Sequence, residues 1–251
     1  MLRAFGLSDK GLVRPTNEDC FAIREELGLL VVADGMGGHN AGEVAARLAV
    51  ETVVETVRNG DAEPAQWPFG FDPALSRNGN LLRTAVHHAN ARILETATAD
   101  PQYAGMGTTV VAARIDNGTI AIAHAGDSRL YLFEGGRVRP MTQDDSWMAT
   151  VLAHDPPVDA LLLQHHPMRN ALTNVVGSRA RTDVHVAEAP LAGGELLLLT
   201  TDGVHGVLDE CRIGELLQAE EDPAAIAKNV IASALARGSR DNCTAVVARY
   251  R

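Results

Sequence analysis

Residues Leu29 to Glu43 read LLVVADGMGGHNAGE. Five apolar residues end at Asp34, and Gly35, Met36, Gly37, Gly38 and His39 follow. A short apolar run closed by a turn signal predicts a buried strand. Directly behind it, AGEVAARLAVETVVETV places Val44, Leu48, Val50, Val53, Val54 and Val57 at helical spacing, which predicts an amphipathic helix. The strand therefore delivers a carboxylate into a glycine-rich turn just ahead of a helix.

Upstream, MLRAFGLS predicts a first strand, and GLVRPTNEDC a turn carrying Arg14, Asn17, Glu18 and Asp19. FAIREELGLLVVAD predicts two strands joined near Glu25–Gly28. Downstream, Gly60 to Gly79 is a Gly-, Pro- and Asp-rich loop in which Trp67, Phe69 and Phe71 pack rather than recognise a ligand. A second long helix begins near Asn78; its adjacent His87 and His88 do not share a face, which argues against a metal site there. The period then changes. GTTVVAARI and TIAIAHAG flank DNG as a hairpin, and SRLYLFEGGRVRPMT adds a second around Gly135–Gly136. Residues 143–174 form a mixed helical and loop insertion broken by Pro156–Pro157. RTDVHVAEAPL and ELLLLTTDG return to strands. PAAIAKNVIASALARG is the one remaining helix, stopped at Gly238, and NCTAVVARY closes as a strand. Hairpins favour antiparallel sheets, and helices grouped between strand blocks favour an outer helical layer. The expectation is one α+β domain over residues 1–251.

Composition limits the function. The net charge of -10, from 22 basic and 32 acidic residues, does not support a nucleic-acid footprint. Cys20, Cys211 and Cys243 are distant from one another and form no CxxC pair, so they read as small hydrophobes in a reducing compartment. No stretch approaches the roughly 20 apolar residues of a membrane span, and MLRAFGLSDKG lacks a signal-peptide pattern. A cytoplasmic protein without membrane attachment is expected.

Acidic residues recur at strand ends: VVADG at Asp34, AHAGDSR at Asp127, LLLLTTDG at Asp202, and SRDNCTAVV with Asp241 just before a strand. Carboxylates gathered at one sheet edge repel one another and lose solvent. Bound divalent cations offset both costs, and oxygen-only donors suit magnesium or manganese rather than zinc. Two such ions sharing a carboxylate suit phosphoryl hydrolysis. Glycine after Asp34 would let its carbonyl approach an ion. Arg14 offers the two parallel donors that a phosphate group accepts.

RPTNED, VVADGMGGH, GTT, AHAGDSRLY, TTDG and RDNCTAVV occur, in this order, in a chain that resembles bacterial metal-dependent Ser/Thr protein phosphatases of the PP2C (PPM) family. The resemblance spans Ser8 to Tyr250. It implies a PP2C-like central β-sandwich of two antiparallel sheets flanked by helices on both sides, with two Mn2+ or Mg2+ ions in a cleft at one end. By motif match, Asp34 bridges both ions and Gly35 gives its carbonyl to one. Asp202 and Asp241 hold the other ion, and Glu18 and Asp19 support the centre. Asn242 stands behind the ligands, Arg14 binds phosphate, and Asp127 serves a third, weaker ion.

The implied mechanism is direct attack by a metal-activated water, without a cysteine nucleophile; Cys20 lacks a CxxxxxR phosphate loop. Three positions depart from patterns found among relatives. Met36 stands where some carry a histidine proposed to protonate the leaving group, and His39 lies later in the turn. Gly206 replaces an aspartate of the third site. Asp145, in QDDSW, stands at a histidine position of a DHS motif. QHHPMRNALTNVVG matches the family's flap region, where His165 and His166 cap and pack and Arg169 and Asn170 steady the flap. The expected substrates are phosphorylated Ser/Thr proteins, with a bacterial Ser/Thr kinase or its substrates as the cognate partner and a monomeric enzyme. The DDSW flap resembles forms found beside type VI secretion kinases. Alternatives are a stress-response phosphatase acting on an anti-sigma-antagonist protein and a catalytically silent PP2C-like binding domain; the presence of Asp34, Asp202 and Asp241 weighs against the silent form.

Overall fold

The computed structural model describes residues 2–38, 41–62, 67–154 and 166–250. His39, Pro156, Pro157 and His165 lie outside the described residues.

Eleven strands among the described residues build two antiparallel sheets. The chain begins with β1 (Leu2–Asp9), β2 (Asp19–Arg24) and β3 (Leu29–Met36), then α1 (Ala41–Ala62) and α2 (Arg77–Ala99). A run of strands follows, shared between the two sheets: β4 (Gly107–Thr108), β5 (Val110–Asp116), β6 (Thr119–Ala125), β7 (Arg129–Glu134) and β8 (Arg137–Pro140). After α3 (Trp147–His154) come β9 (His185–Pro190) and β10 (Leu196–Thr200). The chain finishes with α4 (Asp202–His205), α5 (Glu210–Gln218), α6 (Pro223–Ala236) and β11 (Cys243–Tyr250). One sheet runs β1-β11-β10-β7-β8; the other runs β2-β3-β5-β6-β9, with β4 paired to β3.

The apolar runs explain the layering. In β3, Leu30 and Val32 face the opposing sheet with Val111, Ile122, Leu130, Leu197 and Val246. Their neighbours Leu29, Val31 and Ala33 face α1 and α2. In β10, Leu197 and Leu199 point between the sheets, whereas Leu196 and Leu198 pack under α5 and α6. A strand alternates its side chains between faces, so a sheet covered on both faces needs apolar residues at every position. LLVVA and LLLL meet that demand.

Helix α1 buries its valines 50, 53, 54 and 57, but Val44 and Leu48 are only partly buried. Ala41, Ala45, Ala46 and Ala49 complete the buried face, so short side chains set the close approach of α1 to β3 and α2. The hairpin turns form where expected, with Asn117 and Gly118 at φ 47° and 73° and Gly135 and Gly136 at 57° and 78°, as a primed turn requires. Helix α2 starts at Arg77 because Ser76 accepts the Gly79 N–H at 3.1 Å. Of the loop aromatics expected to pack, Trp67 lies on the core, whereas Phe69 and Phe71 are exposed, Phe69 with its ring beside His87 and His88 at centroid distances of 4.9 and 5.3 Å.

Two expectations need correction. The single helix expected between β10 and β11 is three: α4, α5 and α6. ECRIGELLQ is short and mostly polar, but the Asp209 side chain caps it, and Ile213, Leu216 and Leu217 are buried on one face. The cysteines are not alike either: Cys243 is buried, Cys20 half-buried and Cys211 exposed on α5. No helix among the described residues is long and apolar enough to cross a membrane.

Candidate metal centre

Strand ends and turns of both sheets meet at one edge of the sandwich. There a cleft of about 490 Å³ is lined by Arg14, Glu18, Asp34, Gly35, Asp127, Asp202, Asp241 and Asn242, together with Thr109 and the flap residues Asn170, Leu172 and Val175. Of the residues expected to hold metal or phosphate or to stand behind the ligands, Asp19 alone does not line it. Asp19 lies opposite Asp34 in the β2–β3 register and stands behind it.

Asp34 is held through its backbone. Its N–H donates to Thr109 Oγ1 at 3.0 Å, and its carbonyl accepts from Thr109 N–H at 2.9 Å and Thr108 Oγ1 at 2.8 Å. These contacts with Thr108 and Thr109 use only backbone atoms of Asp34 and leave its carboxyl group out. Ser128 Oγ pairs with Thr109 Oγ1 at 2.7 Å, which ties the Asp127 turn to the same post. Asp19 Oδ2 accepts from Thr201 Oγ1 at 2.9 Å and Thr244 Oγ1 at 2.6 Å. Ser8, 2.7 Å from Thr244, and the Asn17 amide, 2.8 Å from Ser8, extend this chain back to the Arg14 loop.

Asp202 opens α4, and Asp241 precedes β11. Gly203 brings the two turns together, because a Cβ there would run into the Asn242 carbonyl. Asn242 staples the loop of Arg14: its Nδ2 donates to the Lys10 and Thr16 carbonyls, both at 2.9 Å, and its Oδ1 accepts Glu18 N–H at 2.8 Å. Arg14 Nη2 donates to Asp241 Oδ2 at 2.6 Å, so the guanidinium expected on phosphate is here paired with an expected metal ligand. Gly35 is also required by packing: a Cβ would collide with the Gly42 and Glu18 carbonyls.

Charge accumulates on this floor. Asp34 keeps a narrow opening to the cleft, yet protein surrounds it on nearly every side. Burial, then the carboxylates of Asp19, Asp202, Asp127 and Asp241, push its pKa well above the usual carboxylate range. Burial raises Asp19 to about 7 and Asp127 to about 7. Burial and the Asp241 charge raise Asp202 to about 6, partly offset by Arg14 and by a hydrogen bond from Asp34. Glu18 is raised by burial as well.

The donor set fits hard divalent cations. Asp19 Oδ1 and Asp202 Oδ1 are buried without a hydrogen-bond partner, a costly state that a cation relieves. No three His, Cys, Asp or Glu side chains among the described residues close into a ready-made cage. Magnesium-like ions bind through one or two carboxylates and keep several waters, so an open arrangement suits them.

A stability prediction follows from the raised values. Unfolded carboxylates titrate near 4, so the folded, metal-free protein keeps protons that the unfolded chain releases. The stability these carboxyls contribute is full below about pH 4 and is lost as the pH climbs through about 7. Denaturant midpoints in chelator should decline across that window, and saturating manganese should flatten the decline because a cation replaces the protons. A midpoint that rises with pH in chelator contradicts the assignment.

Sequence reasoning missed the hydroxyl scaffold of Thr108, Thr109, Ser128, Thr201 and Thr244. GTT and the threonines flanking the acidic turns were visible, but their partners lie up to 225 residues away.

Comparison with known proteins agrees with this geometry. The family model described as protein phosphatase 2C matches residues 15–241. The serine/threonine phosphatase stp of Listeria monocytogenes is 30% identical over 250 residues, covering 96% of this chain and 92% of its own. The catalytic domain of serine/threonine protein phosphatase PstP, solved in complex with two manganese ions, superposes with a TM-score of 0.82 at 32% identity, covering 99% of this chain and 97% of that one. PppA, described as a key regulatory component of the type VI secretion system in Pseudomonas aeruginosa, gives a TM-score of 0.80 at 32% identity, again over 99% and 97%. With a two-sheet sandwich, an acidic cleft and these relatives in agreement, the chain belongs to the protein phosphatase 2C family and is a metal-dependent protein Ser/Thr phosphatase.

Proposed function

We propose that Asp34, the Gly35 carbonyl, Asp202 and Asp241 are the ligands of two Mn2+ or Mg2+ ions, with Glu18 and Asp19 supporting them and Asp127 serving a weaker third. The observation that carries this is the meeting of Asp34, Asp202 and Asp241 in one cleft with two carboxylate oxygens left unpartnered. Bound there, the cations lower the pKa of a water and neutralise charge on the phosphoryl oxygens. Arg14 stands at the mouth, half exposed, and exchanges Asp241 for the substrate phosphate, whose oxygens match its planar donors. Asn242 keeps the Arg14 loop and Glu18 in register through three hydrogen bonds. Met36 lines the cleft beside Asp34 and has no proton to give, so the departing Ser or Thr oxygen takes its proton from water.

Residues 1–251 act as one phosphatase domain, with 143–174 as its flap. The cognate partner is a bacterial Ser/Thr kinase or its phosphorylated substrates. The secretion role stated for PppA, together with the QDDSW segment, favours a kinase of that kind.

Titration calorimetry tests the centre. Manganese should bind in two tight steps, with a weaker third that Asp127→Asn removes while the first two persist. Magnesium should follow the same pattern with lower affinity. A wild-type chain that binds no manganese at neutral pH would refute the ligand set.

A further inference from the structure

We propose that Asp145 is a positioning residue that pins the flap segment to the turn carrying Asp127, and through it sets how the enzyme grips the chain around a phosphorylated residue. This rests on the reading that the cleft takes a segment of a phosphorylated protein.

Asp145 makes the same connection twice. Its backbone N–H donates to the Gly126 carbonyl at 3.0 Å, and its own carbonyl accepts Thr173 N–H at 2.8 Å. Its carboxylate repeats the link: Oδ2 accepts Gly126 N–H at 2.9 Å and the Asn174 amide at 2.7 Å, while Oδ1 meets His185 Nε2 at 2.9 Å. One residue therefore holds Gly126, next to Asp127, and residues 173–174, between the cleft-lining Leu172 and Val175. The carboxylate is only 13% exposed, and hydrogen bonds to a charged acceptor are shorter and stronger than neutral ones.

Both ends of the link lead onward. Asn174 is buried, and its amide also donates to the Asp183 carbonyl at 2.8 Å. Gly126 adopts φ 98°, and its Cα face lies against Thr109, whose hydroxyl receives the Asp34 N–H. On the outer side, His185 of β9 rests on His124 with ring centroids 5.0 Å apart. A shift at Asp145 thus reaches the flap wall directly, whereas Asp34 on the cleft floor keeps its own backbone contacts with Thr108 and Thr109. An apolar side chain at this position would leave the Gly126 N–H and the Asn174 amide without their shared acceptor.

The test compares a phosphothreonine peptide with para-nitrophenyl phosphate. The peptide continues past its phosphate towards Asn170, Leu172 and Val175; the small ester does not. In Asp145→Ala, the KM for the peptide should rise about tenfold, with kcat within about threefold and the small-ester KM within about twofold. Asp145→Asn keeps an oxygen for Gly126 N–H and should recover most of the loss. Amide hydrogen exchange at residues 171–176 and at Gly126 should quicken about tenfold in Asp145→Ala, while exchange in β10 is unchanged. His185→Ala removes a half-exposed partner without opening the core, and should move peptide KM and exchange in the same direction by about threefold. Wild-type exchange at 171–176 in Asp145→Ala, or in His185→Ala if the first variant does not fold, overturns the proposal. An equal KM rise for both substrates also overturns it. Failure of the phosphoprotein reading would appear separately, as wild-type enzyme inert on the peptide, because exchange is read without turnover.

Discussion

Asp34→Asn should leave a folded protein whose turnover of a phosphothreonine peptide with manganese is at least about 10²-fold below wild type. The substitution keeps the side chain's size, and the backbone contacts of residue 34 with Thr108 and Thr109 do not involve the carboxylate. What it removes is one ionisable carboxyl from a floor already shared with Asp19, Asp202 and Asp127. Two opposite effects follow. Without metal, removing this crowded, buried carboxyl should raise the denaturant midpoint, most clearly near pH 7, where the unfolded chain has already released the protons that the folded carboxyls retain. With metal, affinity should fall, because a neutral amide is a weaker ligand that cannot offset cation charge. Calorimetry, unfolding in chelator and steady-state rates together separate these effects. Equal rates for wild type and variant, or equal wild-type rates with manganese and with chelator, would defeat the mechanism.

Gly35→Ala should destabilise the protein by about 3 kcal/mol or more, whereas Gly38→Ala, three residues along the same turn, should stay within about 0.5 kcal/mol. A Cβ on Gly35 collides with the carbonyl of Gly42 in the first turn of α1 and with that of Glu18. Both are main-chain atoms and cannot swing aside, so α1 must move off β3 or the Asp34 peptide must shift. At Gly38 a Cβ meets nothing within 4 Å among the described residues. Denaturant midpoints for the pair decide the matter, and equal losses would mean that the close approach of α1 to β3 is not what requires glycine. Because Gly35 adjoins Asp34, manganese affinity should fall along with stability.

Much of the scaffold could be read directly. The apolar runs of β3 and β10, the DNG and EGG hairpins, and the valine spacing of α1 carry their structure in local chemistry. Helix α5 was missed because its evidence lies in only three buried residues and one cap. The alanine face of α1 was undervalued for a similar reason: alanine favours helix but marks its apolar face weakly, and it reveals its packing value only when another backbone comes close.

The acidic residues show where local information stops. Their identity and their places at strand ends are written in the chain, since Asp before Gly after an apolar run is a short-range pattern. That family-specific order was enough to name the chemistry. Their partners are not written there. Asp19 rests on Thr201 and Thr244, Arg14 reaches Asp241, and Asp145 joins Gly126 to Asn174. Such pairings exist only after two sheets have stacked and their edges have come into line. Short-range sterics and alternation select strands and helices, whereas the raised carboxylates, the unpartnered oxygens and the anchored flap arise from burial, which is a property of the assembled layers.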